Sequence, residues 1–123
     1  MPLIVAHNSR HCVEVYDREG KKLSTFGKRA RSGDEGFGSC CNPMNVLFGP
    51  GGELYTSESG LCRVKRYSPE GKLLGVVGKT GIAGGCKRMT IAITKDASKI
   101  YMLDTKKNKI RVMTGPAKAA EKK

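Results

Sequence analysis

Cys40, Cys41 and Cys86, together with His7, Glu58 and Asp104, are the side chains of this chain best suited to hold a metal. Thiolate and imidazole are soft or borderline donors and carboxylates are hard ones, so a mixture of them suits zinc, copper or an iron centre. Cys40, Cys41, Cys86 and His7 form the candidate ligand set, and a transition metal such as zinc is the cofactor it would take. No CxxC-type spacing ties these cysteines together, and the alternative is that they pack as small apolar residues where strands crowd. There are 5 cysteines in all, so at least one thiol has no intramolecular disulfide partner, and the scattered pattern is unlike a dense disulfide framework.

A second set is cationic. Lys28, Arg29 and Arg31 form one run, with Lys87-Arg88 and Lys106-Lys107 further along. Clustered cations of this kind neutralise phosphates, which makes RNA a candidate partner, with affinity falling as salt rises. Aromatic residues on which bases could stack are only 6% of the chain, and the competing reading is a solvated basic surface. Asp34-Glu35 in a glycine-rich stretch could serve as acid and base or hold a cation, or be ordinary loop charges. The acids of Asp17-Arg18-Glu19-Gly20 and Ser68-Pro69-Glu70-Gly71 recur regularly, which marks them as turn chemistry. With 2 histidines and no Ser/His/Asp set or nucleophile elbow, no catalytic residue is assigned, and binding is expected in preference to catalysis.

The composition bounds what can position these groups. At 123 residues, 38% hydrophobic and 28% charged, the chain is at most one globular domain and is unlike a disordered or collagenous one. Its apolar runs, such as Leu3 to Ala6 and Met44 to Phe48, are far below the roughly 18 residues that cross a bilayer. No basic and apolar leader is visible, so the expected location of the chain as written is cytoplasmic, with the compartment open. The formal charge of +12 includes a small, charged C-terminal stretch, 114–123, expected to be a disordered basic tail.

The chain repeats itself. Leu3-Ile4-Val5 through Tyr16, Gly20, Leu23 and Gly27 superposes on Leu54-Tyr55-Thr56 through Tyr67, Gly71, Leu74 and Gly78 at an offset of 51. A second offset, of 46, carries Cys40 to Cys86, Leu47 to Ile93, Leu54-Tyr55 to Ile100-Tyr101, Glu58 to Asp104 and Val64 to Ile110. Each unit reads as short β-branched and aromatic runs between Gly, Pro and Asp turns, the pattern of consecutive antiparallel hairpins. Predicted strands are Leu3 to Ala6, Cys12 to Tyr16 and Lys21 to Phe26; then Met44 to Phe48, Glu53 to Ser57, Cys62 to Tyr67 and Lys72 to Val77; then Met89 to Thr94, Lys99 to Leu103 and Lys109 to Met113. The expected fold is therefore all-β, built as β-propeller blades of four-stranded antiparallel sheets in an incomplete ring. A partial blade spans 2–27, a complete one 37–78 and a partial one 86–113, all within a segment 1–113.

Three registered copies resemble the NHL-repeat family of propellers. The first carries Leu3-Ile4-Val5-Ala6, Asn8, Val13, Val15-Tyr16-Asp17, Gly20, Leu23 and Phe26-Gly27. The second carries Gly36-Phe37-Gly38, Pro43, Val46, Gly52, Leu54-Tyr55, Val64, Tyr67, Gly71 and Gly78. The third keeps Ile100-Tyr101, Asp104, Asn108 and Ile110 to Val112. His7 and Glu58 stand where the family usually has aspartate. The resemblance implies a binding or scaffold module that presents a ligand or protein-partner site on the top face of a propeller, with RNA binding as one known use. It also includes lactone hydrolases and a zinc-dependent amidating lyase, whose multi-histidine centre this chain cannot complete.

Alternating strands place the second-to-third loops and the blade-to-blade loops on that top face. There lie His7, Glu58 and Asp104 at equivalent positions, with Lys28, Arg29, Arg31, Lys87 and Arg88 as further candidate ligand or partner contacts. Cys40, Cys41 and Cys86, preceding the innermost strands, are expected near the central axis. Two and a half blades are fewer than the 4 to 8 that typically close a propeller, so self-assembly or further blades are expected to complete the ring.

Overall fold

The computed structural model describes residues 2–30, 33, 34, 36–38, 42–59, 63–79, 90–105 and 108–114. Ten strands run β1 Leu3–His7, β2 Cys12–Tyr16, β3 Lys22–Phe26, β4 Asn45–Phe48, β5 Leu54–Glu58, β6 Arg63–Tyr67, β7 Leu73–Lys79, β8 Ile91–Ile93, β9 Lys99–Asp104 and β10 Lys109–Thr114. They form three antiparallel up-and-down sheets, β1-β2-β3, β4-β5-β6-β7 and β8-β9-β10, called sheets I, II and III below. The fold is all-β, apart from a short 3-10 turn at Pro50–Gly52. No helix among the described residues is long and apolar enough to cross a membrane.

One hairpin is built three times. Leu3 pairs with Tyr16 and His7 with Cys12; Leu54 pairs with Tyr67 and Glu58 with Arg63; Ile100 pairs with Met113 and Asp104 with Lys109. These registers coincide under the offsets of 51 and 46, so equivalent residues point to equivalent faces. The turns repeat as well. Asp17 N–H donates to Lys21 O and Ser68 N–H to Lys72 O, with Gly20 and Gly71 at φ 92 and 91. Asp17 Oδ1 accepts from the Glu19 and Lys21 amides, and Ser68 Oγ accepts from the Lys72 amide, as expected of turn-forming side chains.

The first strand of each unit departs from the sequence offset. Phe48 pairs with Leu54 and Ile93 with Ile100, so Leu47 is equivalent to Ala92 and not to Ile93. The paired residues Ile93 and Ile100 enclose one residue more than their equivalents Phe48 and Leu54. Thr94 N–H closes the longer span onto Lys99 O around a buried Ala97 at φ 59. The one-residue shift puts Ile91 and Ile93 on the same side as Val46 and Phe48, where an offset of 46 would have turned them away.

Alternation along the strands supplies the core. Ile4, Val13 and Phe26 of sheet I pack with Val46, Phe48, Leu54, Tyr67 and Leu73 of sheet II. The opposite side of sheet II, with Leu47, Tyr55, Val64 and Val77, packs with Ile91, Ile93, Ile100, Met102 and Met113 of sheet III. Sheet II is thus covered on both sides, and the first strands of the three sheets lie side by side, β4 against both β1 and β8. Close approach fixes small residues here: a Cβ on Gly49 would stand 2.3 Å from Tyr55 Cε1.

Candidate functional site at the meeting of the three sheets

Where the first strands converge, Asn8 of the turn after β1, Met44 and Asn45 leading into β4, and Thr90 leading into β8 line a cleft of about 320 Å³. Each sheet contributes to it, and backbone bonds hold its edges: Met44 N–H donates to Ser57 O and Leu103 N–H to Thr90 O. Its described lining is amide, hydroxyl and thioether, and no described residue of it carries a formal charge. Such a set offers donors and acceptors to neutral polar groups on a weakly apolar floor.

Beside it, the connection from sheet I to sheet II is held against sheet II by buried cations. Arg63 donates through Nε and Nη2 to the Glu58 carboxylate and also bonds Gly33 O, Gly36 O and the Asp34 carboxylate. Lys65 Nζ lies 2.9 Å from Glu58 Oε2, donates to Asp34 O and Gly36 O at 2.8 Å, and sits 4.3 Å from the centre of the Phe37 ring. Lys65 and Glu58 are completely buried. Burial pushes the Lys65 ammonium below its usual pKa, against the attraction of Glu58. At the other end of the connection, Asn42 Nδ2 donates to Gly38 O and Ser59 O while its Oδ1 accepts from Ser59 N–H.

The residues singled out by sequence are distributed over different faces. Glu58 lies between sheets I and II with both its oxygens on Arg63 and Lys65. Asp104 lies between sheets II and III, buried, and accepts from Arg111 Nε at 3.2 Å. His7 sits on the outer side of sheet I, its Nδ1 3.2 Å from Ser9 Oγ, opposite the buried free thiol of Cys12. The three share a register position and so each belongs to a different sheet, and among the described residues no group of three His, Cys, Asp or Glu side chains lies together as a metal site would require. Cys40, Cys41, Cys86, Arg31, Glu35, Lys87, Arg88, Lys106 and Lys107 lie outside the described residues, as does the stretch 115–123.

Lys28 and Arg29 are exposed. Lys28 lines a separate cleft of about 350 Å³ with Gly27, Tyr67, Gly71, Lys72 and Leu73, beside the β6–β7 turn and not at the meeting of the first strands. Phe26 explains the placement: its ring stacks 4.7 Å from that of Tyr67, and a Cβ on Gly71 would clash with it at 2.8 Å. The β3 end is thereby drawn toward the far end of sheet II. Asp34 pairs with Arg63 and acts in holding the connection.

Arg63 and Lys65 escaped sequence reasoning because charged residues within a strand read as the solvated face. A signal was available: they alternate with Val64 and share the face of Glu58, and Lys65 follows Glu58 at the same step that separates Arg111 from Asp104. No protein-family model and no curated protein matches this chain.

Proposed function

We propose that the chain is a segment of an NHL-like propeller acting as a binding module, and that the cleft of Asn8, Met44, Asn45 and Thr90 receives an extended polypeptide segment. The observation that carries this reading is that all three sheets contribute uncharged hydrogen-bonding side chains to one opening. Main-chain amides and small polar side chains of a peptide match such a lining, whereas a phosphate-rich ligand would call for cations, of which the described lining holds none. The buried carboxylates nearby support binding over catalysis, since Glu58 and Asp104 are engaged by Arg63, Lys65 and Arg111 and are not presented to a substrate.

The test is selection of random peptides displayed on phage against the purified chain, followed by affinity measurement with Asn8→Ala and Thr90→Ala. Selected peptides are expected to lose at least tenfold in affinity to either variant and to be indifferent to Lys28→Glu with Arg29→Glu. Peptides insensitive to both cleft variants would overturn the reading. A fluorescent single-stranded RNA dodecamer and zinc titration form parallel arms. Salt-sensitive RNA binding lost in the Lys28/Arg29 variant would move the function to the basic connection, and stoichiometric zinc lost on Cys86→Ala would move it to the cysteines.

A further inference from the structure

The array ends in two faces that leave apolar residues uncovered. On sheet I, Leu3 and Val5 point away from sheet II and are 44% and 42% exposed; their equivalents in sheet II, Leu54 and Thr56, are completely buried against sheet I. On sheet III, Leu103, Ile110 and Val112 point away from sheet II, the last two 66% and 58% exposed. The equivalents of Leu103 and Ile110 in sheet II, Ser57 and Val64, are completely buried. Arrays of stacked repeats remain soluble when their terminal units turn a polar side outward; sheet III does not, and sheet I does so only in part, with His7, Glu14, Tyr16 and Lys22 beside Leu3 and Val5.

We infer that these two faces mate with each other across a pair of identical chains, sheet III of each copy stacking on sheet I of the other. The match follows from the repeat. Sheet I presents outward the register positions that sheet II presents to sheet I, and sheet III presents outward the positions that sheet II presents to sheet III. Docking one on the other therefore continues a packing already made twice within the chain. The contact is head-to-tail, and such contacts either close into a ring or run on as a filament. Three sheets per copy admit one closure within the 4 to 8 blades of typical propellers: two copies give six blades, whereas one gives three and three give nine. The inference rests on reading the sheets as propeller blades and is independent of what the cleft binds.

Sedimentation equilibrium of the chain at micromolar concentration tests it, with an expected mass about twice 13.3 kDa. Ile110→Glu with Val112→Glu, and separately Leu3→Lys with Val5→Lys, should each give a folded monomer. Mixing the two variants should restore a dimer, because one junction is then unaltered and the other carries opposite charges. A monomer throughout, an open-ended polymer, a dimer indifferent to either variant, or variants that stay monomeric when mixed would each overturn the inference. Should a variant fail to fold, hydrogen exchange on the unaltered chain decides: amides of β1 and β10 must become more protected as concentration rises, and unchanged protection refutes the pairing. Peptide binding measured on the monomeric variants tells failure of this pairing apart from failure of the cleft reading.

Discussion

Replacing Glu58 by Gln would leave Arg63 and Lys65 buried at sheet II with Asp34, on the half-exposed connection, as the one carboxylate among the described residues to balance them. Removing one partner of a buried charge pair costs about 3–5 kcal/mol, a large share of the roughly 5–15 kcal/mol that holds a domain together. Lys65→Met is the milder change. Arg63 continues to hold both Glu58 oxygens and the methionine stem still reaches Phe37; the losses are the ion pair to Glu58, the bonds to Asp34 O and Gly36 O and the ammonium's contact with the Phe37 ring, offset by no longer burying that charge, about 1–3 kcal/mol net. The double variant removes one charge of each sign. Its destabilisation should therefore fall below the sum of the single effects by at least about 1 kcal/mol, as for residues sharing one network. Urea unfolding followed by far-ultraviolet circular dichroism and tyrosine fluorescence measures all three, the chain having 4 tyrosines and no tryptophan. Additivity within about 0.5 kcal/mol, or a Glu58→Gln cost below about 1 kcal/mol, would refute the view that Glu58 is the counter-charge for both cations.

Two further outcomes follow from the turns and from two carboxylates, buried Glu14 and exposed Asp96. Gly20 and Gly71 have almost the same φ, 92 and 91, but a Cβ on Gly20 meets nothing within 4 Å whereas one on Gly71 meets Phe26 at 2.8 Å. Gly20→Ala should then cost about 1–2 kcal/mol of backbone strain and Gly71→Ala about 1–3 kcal/mol more from overpacking; equal urea midpoints would refute it. Glu14 is held below the usual carboxylate pKa by the Tyr16 hydroxyl and by Lys22, and Asp96 by the Ser98 backbone amide and the Ser98 and Thr94 hydroxyls. A depressed folded pKa stabilises above the unfolded value of about 4, and that contribution is lost as pH falls through the folded value. Glu14→Gln with Asp96→Asn should flatten the fall of the urea midpoint with pH below about 4.5, and an unchanged slope would count against these two groups.

Much of the architecture was legible because its signals are local. Ten predicted strands correspond to ten observed ones, since alternation and the Gly and Pro turns are written within each run. The one-residue shift of β8 was not, because it depends on the longer span around Ala97, whose left-handed backbone no residue type announces. The candidate site was less legible still. His7, Glu58 and Asp104 share a repeat position, which puts each on a different sheet with its own partners, Ser9, Arg63 with Lys65, and Arg111. The cleft residues Asn8, Met44, Asn45 and Thr90 carry no motif; only the side-by-side placement of the first strands brings them together.

Arg63 and Lys65 grip the first connection largely by its peptide carbonyls, at Gly33, Asp34 and Gly36. A carbonyl is the same whatever side chain accompanies it, so most of this hold is blind to the residues it secures. Substitutions that keep the backbone path of the connection therefore leave these carbonyl bonds in place, much as a frame accepts different panes. Change of side chains along the connection is thereby partly uncoupled from the stability of the sheet beneath it.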